Sequence, residues 1–180
     1  NFSYICCNPI ASIKVEGDTI SQTYPDGSSK SNLIQSVGVI EEIHKFTQRF
    51  KVDSNKEFKF INNGIFGYTA YDAVKYFEDI EISKKDNSVS IPEIYYAVYQ
   101  NIIAIDHQKN EAYIFAHCFH SENNIDDILQ LIQTRQYASY DFKPKGDIES
   151  NLTDEEYKAN VELAKKHCGR GDVFQLVLSK

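Results

Sequence analysis

Side chains that are able to bind a metal ion gather in one short stretch of the sequence. His117, Cys118 and His120 lie close to Asp126 and Asp127, and nitrogen, sulfur and carboxylate oxygen atoms are the usual zinc ligands in proteins. Adjacent residues of a strand point to opposite faces of the sheet, however, so His117 and Cys118 cannot readily share one ion. We therefore interpret this stretch as a strand end that runs into a loop, and we predict no metal site.

Acidic pairs are the next candidates, because two carboxylates can share general acid and base chemistry. Asp72 and Glu78 form one pair, and the two adjacent aspartates named above form another. Without a pocket formed by other elements, such pairs are solvated or cap helices. Gly64 and Gly67 lack the spacing of a phosphate-binding loop. These patterns therefore identify no catalytic residue.

One polar residue interrupts an apolar alternation near the end of the sequence. Gln175 stands between Phe174 and Leu176 in a strand that the alternation predicts over 173–179. Two interpretations stay open at this point. Gln175 is either a polar residue on a half-exposed strand, or a residue that lines a cavity completed by further sequence.

Short strands and a few helices must position these candidates. Strands are predicted at 2–6, 10–15, 19–24, 58–61, 94–105, 112–118 and 173–179. Turn-forming and polar residues predict loops at 28–32 and 83–90 and a linker at 138–150.

Apolar stripes and capping residues predict the helices. The first predicted helix has the stripe Val39, Ile43, Phe46 and Phe50, and a helical turn over 73–77 is capped by Asp72. Another helix starts at Ile125 and is capped by Asn123 or Asn124. The last helix begins with the capping box of Thr153 and Glu156 and ends at Gly169. The strands form antiparallel hairpins, and the helices come between groups of strands. The predicted fold class is therefore α+β.

Composition excludes several classes of function. The chain has 180 residues and a net charge of −7, which argues against a nucleic-acid surface. No apolar run reaches the roughly 18 residues that a membrane helix needs. Four cysteines without a CxxC pair favour a reducing cytoplasm over a disulfide framework or a zinc site. The sequence contains no Met, so we expect it to be part of a longer protein.

Two segments together resemble a known enzyme family. Residues 64–78, GIFGYTAYDAVKYFE, resemble the G-x-F-G-Y-x-x-Y-D-x-V-x-x-F-E stretch of anthranilate synthase component I, a chorismate-utilising enzyme. Residues 171–180, GDVFQLVLSK, resemble the G-D-x-F-Q-V-V-L-S-R segment that follows a capped helix at the start of its chorismate-binding domain. Residues 3–9 are also similar to its S-F-I-G-x-D-P, departing from it at Cys6 and Asn8.

The resemblance implies a division of the chain into two domains. Residues 1–146 would be the N-terminal domain, made of antiparallel sheets with flanking helices, and residues 147–180 the truncated start of the chorismate-binding domain. The family's catalytic acids, metal-binding glutamates and chorismate contacts would follow Lys180, and its tryptophan-binding segment would precede Asn1. This fragment is therefore expected to contain no catalytic or metal-binding residue and to be inactive alone.

The resemblance also implies a reaction for the whole protein. The full-length enzyme would be a cytoplasmic lyase that uses Mg²⁺ to convert chorismate and ammonia into anthranilate and pyruvate in tryptophan biosynthesis. A glutamine amidotransferase subunit would supply the ammonia, and L-tryptophan would inhibit. Gln175 would line the active site. Related enzymes that add water have a Lys at this position as a general base. Ammonia attacks through its own lone pair and needs no general base, so a Gln suits an enzyme that uses ammonia.

Two alternatives to anthranilate synthase stay open. The large subunit of aminodeoxychorismate synthase, in folate synthesis, shares the scaffold and the ammonia chemistry, although the run from Tyr71-Asp72 to Phe77-Glu78 favours anthranilate synthase. A non-catalytic module that binds tryptophan or a partner subunit would instead have a coding sequence that ends near Lys180.

Overall fold

Two long antiparallel strands form the centre of the fold. The strands predicted at 2–6 and 10–15 are one strand, β1 (Phe2–Glu16), whose register shifts by a bulge between Pro9 and Ala11. Pro has no N–H to donate to a ladder, which explains why the pairing is interrupted there. The strand β5 (Ile94–Asp106) pairs with β1 along nearly its whole length, as its β-branched and aromatic residues predict.

The computed structural model describes residues 1–52, 57–82, 91–120, 122–134 and 138–180. They divide into a sheet unit, Asn1–Gln136, and a helix unit, Tyr137–Lys180. The domain boundary between residues 146 and 147 stays a prediction, and the loop predicted at 83–90 lies outside the described residues. None of the helices in the described ranges is long and apolar enough to cross a membrane.

The sheet unit contains one branched antiparallel sheet. Besides β1 and β5, the unit contains β2 (Thr19–Thr23), β3 (Ser29–Leu33), a single 3₁₀ turn (Ile34–Ser36), α1 (Val39–Gln48), β4 (Phe66–Thr69), a 3₁₀-helix (Tyr71–Tyr76), β6 (Glu111–Ala116) and α2 (Ile125–Thr134). The strands run in the order β3-β2-β1-β5-β4, and β6 also pairs with β5. This architecture confirms the predicted α+β class.

Alternation along β1 places the core on one face of the sheet. Ile13 and Val15 are fully buried, and Ile94 of β5 lies with them in the same cluster. The predicted stripe of α1 packs against this face through Val39 and Phe46, both buried, whereas its last predicted member, Phe50, lies beyond the end of the helix at Gln48. Burying one such side chain contributes about 1.5–3 kcal/mol, so this shared face accounts for the docking of the helix on the sheet.

Two of the strand and loop predictions for the sheet unit are wrong. The polar stretch at 28–32 is not a loop but most of β3, which pairs with β2 from Ser29 to Leu33 at an edge of the sheet. Edge strands tolerate polar residues, so the stretch lacks the expected apolar signal. Residues 58–61 form no strand. The rings of Phe58 and Phe60 instead pack on the ring of Tyr113 in β6.

The predicted helix ends are partly right. Asp72 lies inside the 3₁₀-helix, whose N-cap is Ala70, so the predicted Asp72 cap is wrong. At α2, Asn123 Oδ1 accepts a hydrogen bond of 3.0 Å from the Ile125 N–H. The Asn124 side chain pairs instead with the fully buried Asn101 of β5. The cap interaction of α2 therefore belongs to Asn123, while Asn124 ties the start of this helix to the sheet.

Candidate functional site

Two glycines shape the segment 64–78, which carries the first motif. Gly64 has a φ of +126°, a backbone conformation that side chains with a Cβ rarely adopt. Gly67 lies directly against the backbone of β5, with no space for a Cβ atom. Both glycines of the motif are thus required by the turn into β4 and by its close pairing with β5.

The 3₁₀-helix of this segment is anchored by Glu93, which sequence reasoning did not single out. One carboxylate oxygen of Glu93 binds Lys75 Nζ, and the other accepts a hydrogen bond from the Tyr76 hydroxyl. Burial and then the Glu93 contact raise the pKa of Tyr76. The Glu93 backbone also receives a 2.7 Å bond from Ala70 and donates a 2.8 Å bond to Val15. Since Glu93 lies in an otherwise irregular turn, no periodicity indicates this role.

A cavity of about 1010 Å³ lies where β4 and β6 diverge along one edge of β5. β4 pairs with residues 94–97 of β5 and β6 with residues 101–106, so the intervening part of β5 has no partner strand on this side among the described residues. We call this space the fork cavity. Its walls come from the end of α1, the segments leading to β4 and leaving β6, and the middle of β5.

The lining of the fork cavity combines apolar rings with a few polar groups. Arg49, Lys51 and Tyr99 line it together with Phe50 and Phe115. The Arg49 guanidinium also lies 4.7 Å from the centre of the Tyr24 ring. Burial raises the pKa of Tyr99, and its hydroxyl is able to donate a hydrogen bond. Cations and a donor beside apolar walls suit a small organic anion with an apolar body.

The stretch considered for metal binding lies at the rim of this cavity. His117 and Cys118 follow β6, and the His117 N–H bonds to the Gln100 carbonyl at 2.7 Å. The buried His117 Nδ1 has no hydrogen-bond partner among the described residues. His120 has a φ of +50° and is exposed, and Asp126 lies in the first turn of α2. Within the described ranges, no three His, Cys, Asp or Glu side chains come close enough to hold an ion.

The helix unit is built on α3 (Asp154–Arg170). Its predicted capping box is confirmed: Glu156 N donates to Thr153 Oγ1 at 3.2 Å, and Thr153 N donates to Glu156 Oε2 at 2.9 Å. The predicted end at Gly169 is wrong, because the helix continues to Arg170 and the left-handed cap is Gly171, with a φ of +82°.

A polar cluster fixes the turn that follows α3. Asp172 Oδ2 lies 2.5 Å from Arg170 Nη2 and 2.8 Å from His167 Nδ1. The Asp172 backbone N–H also donates to the His167 carbonyl at 3.1 Å. The Gly-Asp pair of the second motif therefore reverses the chain and determines where the segment with Gln175 begins.

The segment after this turn is not paired as a strand. Leu176 and Leu178 line a groove of about 390 Å³ together with Tyr157 and Val161 of α3, and Lys180 binds Asp154 at the start of that helix. Residues 173–179 were expected to form a strand, but they have no hydrogen-bonded partner strand among the described residues. An extended segment needs such a partner to become a strand.

Gln175 is exposed in this segment. Leu176 and Leu178 line the groove against α3, whereas Gln175 and Val177 do not line it. The structure therefore brings no other predicted site residue to Gln175 within the helix unit. Its role as an active-site residue stays a prediction.

Comparison with known proteins assigns the family. The family model described as "chorismate binding enzyme" matches residues 3–180. This chain belongs to the chorismate-binding enzymes. The resemblance to anthranilate synthase component I is confirmed by relatives and by a solved structure over almost the whole chain.

Both kinds of chorismate-binding enzyme considered from the sequence occur among the relatives. The chain is 28% identical to anthranilate synthase component 1 of Lactococcus lactis, covering 99% of this chain and 40% of the relative. It is 24% identical to aminodeoxychorismate synthase component 1 of Bacillus subtilis, and the match covers 99% of this chain and 39% of that relative. The chain thus spans about two fifths of the length of these relatives.

A solved structure supports the fold. Anthranilate synthase component I from Streptococcus pneumoniae superposes with a TM-score of 0.66 at 20% identity, covering 95% of this chain and 39% of that one. This likeness concerns the fold, and it agrees with the α+β arrangement described above.

Sequence reasoning missed the fork cavity, because its walls come from segments far apart in the chain and only pairing with β5 brings them together.

Proposed function

We propose that the complete protein is the lyase component of an anthranilate synthase, converting chorismate and ammonia into anthranilate and pyruvate in tryptophan biosynthesis. The observation that carries this proposal is Gln175, which is exposed and lies outside the groove where Leu176 and Leu178 meet α3. An amide at this position is a poor general base, which suits ammonia because its lone pair attacks without deprotonation. A water-adding enzyme would need a base here.

The same observation supports a second candidate, aminodeoxychorismate synthase, because that reaction also uses ammonia. The Bacillus subtilis relative matches 99% of this chain, as does the Lactococcus lactis relative. Anthranilate synthase is favoured by the run from Tyr71-Asp72 to Phe77-Glu78, the feature on which the two subfamilies were distinguished.

Further components belong to the proposal. A glutamine amidotransferase subunit delivers ammonia, L-tryptophan inhibits, and the protein works in the cytoplasm. Mg²⁺ assists the reaction, but the described residues contain no group that fits a metal ion. Its ligands are therefore proposed in another part of the complete protein, and no step through Mg²⁺ is assigned to this chain.

Product analysis of the complete protein tests the reaction. With chorismate, ammonium chloride and Mg²⁺, we expect fluorescent anthranilate and an equal amount of pyruvate. Consumption of chorismate without pyruvate would contradict this assignment and support aminodeoxychorismate synthase. If chorismate is not consumed while calorimetry detects tryptophan binding, the protein is the non-catalytic module.

Gln175→Lys in the complete protein tests the role of the amide. A lysine introduces a positive charge and a base suited to water, so we expect ammonia-dependent product formation to fall by about tenfold or more. The measurement is the initial rate against ammonia concentration at saturating chorismate. Gln130→Lys, the same exchange at an exposed position of α2, is the control and should match wild type. Equal rates for Gln175→Lys and wild type would exclude a role at the reacting centre.

A further inference from the structure

Three aromatic rings of the first motif are exposed, and the Tyr68 ring among them also has its centre 6.3 Å from that of the Tyr95 ring in β5. Tyr68, Tyr71 and Phe77 are 41%, 86% and 48% exposed, whereas Ala73 of the same segment is fully buried. We call these three rings the aromatic edge. Tyrosine and phenylalanine are enriched at protein interfaces, and exposed groups of large apolar side chains mark interaction surfaces.

The aromatic edge is held on a rigid base. Tyr68 lies on β4, which is at one edge of the sheet and pairs only with β5 among the described residues. Tyr71 begins the 3₁₀-helix, Phe77 is the C-cap that follows it, and Glu93 anchors this helix through Lys75. Side chains on a preorganised backbone lose little conformational entropy on binding, which favours their use as anchors.

Exposed carboxylates lie close to the aromatic edge in the sequence. Asp72, Glu78, Asp79 and Glu81 are all exposed. Lys75, the only basic residue described between residues 70 and 82, is already paired with Glu93. The described surface here is therefore acidic. Such a surface attracts a partner with a basic rim and repels a second copy of itself.

The geometry points to the aromatic edge as the surface on which a separate, basic-rimmed protein docks, and we assign this partner as the glutamine amidotransferase subunit. The assignment rests on the proposed function, which requires such a subunit. The three rings would enter apolar pockets of the partner, while Glu78 and its acidic neighbours would face lysine and arginine side chains at the rim.

The test compares two sources of ammonia in the complete protein. The purified amidotransferase subunit is titrated against the enzyme with glutamine as nitrogen donor, and the same enzyme is assayed separately with ammonium chloride. For Tyr71→Ser and for Glu78→Lys, we expect half-maximal glutamine-dependent activity to need about tenfold or more of the subunit. Ammonia-dependent activity should stay at the wild-type rate. Tyr140→Ser is the matched control, because Tyr140 is also 86% exposed.

Three outcomes would overturn the docking assignment. In the first, both variants titrate like wild type. In the second, ammonia-dependent activity falls in parallel, which would give these residues a role in the enzyme itself. In the third, Tyr71 resists nitration by tetranitromethane in the enzyme without its partner, which would mean that other parts of the chain cover it.

Failure of the proposed function is distinguishable from failure of the docking assignment. If wild type makes no product even with ammonium chloride, the proposed reaction is wrong. Calorimetric titration of the amidotransferase subunit into wild type and the same variants then decides the docking alone. Binding weakened about tenfold by Tyr71→Ser and Glu78→Lys supports the assignment, and no binding by wild type overturns it.

Discussion

Replacing Lys30 and Lys45 together with methionine is expected to destabilise the protein by about 2–4 kcal/mol at pH 7. Both lysines face Glu42 of α1, which is only 3% exposed. Lys30 Nζ lies 3.2 Å from Glu42 Oε2, and Lys45 Nζ lies 3.3 Å from Glu42 Oε1. Without these cations, the 3.0 Å hydrogen bond from Gln22 Nε2 is the one contact of the buried carboxylate that stays among the described residues. The cost stays moderate because both lysines are about half exposed to water.

The double variant should also reverse the contribution of Glu42 to pH dependence. Burial by itself raises the pKa of Glu42, but the hydrogen bonds from Lys30 and Lys45 outweigh burial and hold that pKa below its ordinary value. In wild type, Glu42 therefore stabilises the fold above about pH 4.3, and this stability is lost as the pH falls through the lower folded-state pKa. In the double variant burial dominates, so the pKa should rise, and acidification from pH 7 should recover stability.

Urea denaturation followed by circular dichroism at pH 7 and at pH 5 measures both effects. Adding Glu42→Gln to the double variant removes the unpaired charge and should recover most of the loss at pH 7. Lys165→Met is the control, since Lys165 pairs with Glu162 on an exposed face of α3 and should change stability by less than about 0.5 kcal/mol. A double variant as stable as wild type, with an unchanged pH profile, would show that Glu42 needs no cation.

Elements with a strong local signal could be predicted from the sequence. The stripe of α1 and the capping box of α3 depend on spacing within one helix, and both are confirmed. The position of the α3 terminus could not be predicted, because Gly169 and Gly171 are both plausible caps. Only the backbone decides between them: Gly171 has the positive φ.

Elements that depend on contacts outside their own segment could not be predicted. β3 is polar and becomes a strand because β2 offers it a partner. Phe58 and Phe60 have the composition of a strand, but their rings find contacts on β6 instead. The fork cavity likewise exists only because β4 and β6 pair with different parts of β5. The position of Gln175 relative to other site residues is a long-range property of the same kind.

Gly67→Ala is expected to separate β4 from β5, at a cost on the order of 3–5 kcal/mol. A Cβ atom at this position would lie 1.9 Å from the Tyr95 carbonyl oxygen and 2.7 Å from Tyr96 Cα. Both are backbone atoms of β5, which cannot retreat because β1 pairs along its other edge. The glycine of the motif is therefore required by the close approach of two strands.

Hydrogen exchange and urea denaturation distinguish a local from a global effect of this exchange. If β4 separates, the 2.7 Å bond from Ala70 N to the Glu93 carbonyl should break with it, and the amides of residues 66–77 should lose protection first. Gly169→Ala is the matched control: its Cβ would meet no atom within 4 Å, so it should be neutral or stabilise α3 by up to about 1 kcal/mol. Wild-type protection of β4 in Gly67→Ala would mean that the strands are not in this close contact.

Because Tyr68 and Tyr71 lie on this segment, Gly67→Ala should also weaken binding of the amidotransferase subunit more than Tyr71→Ser does.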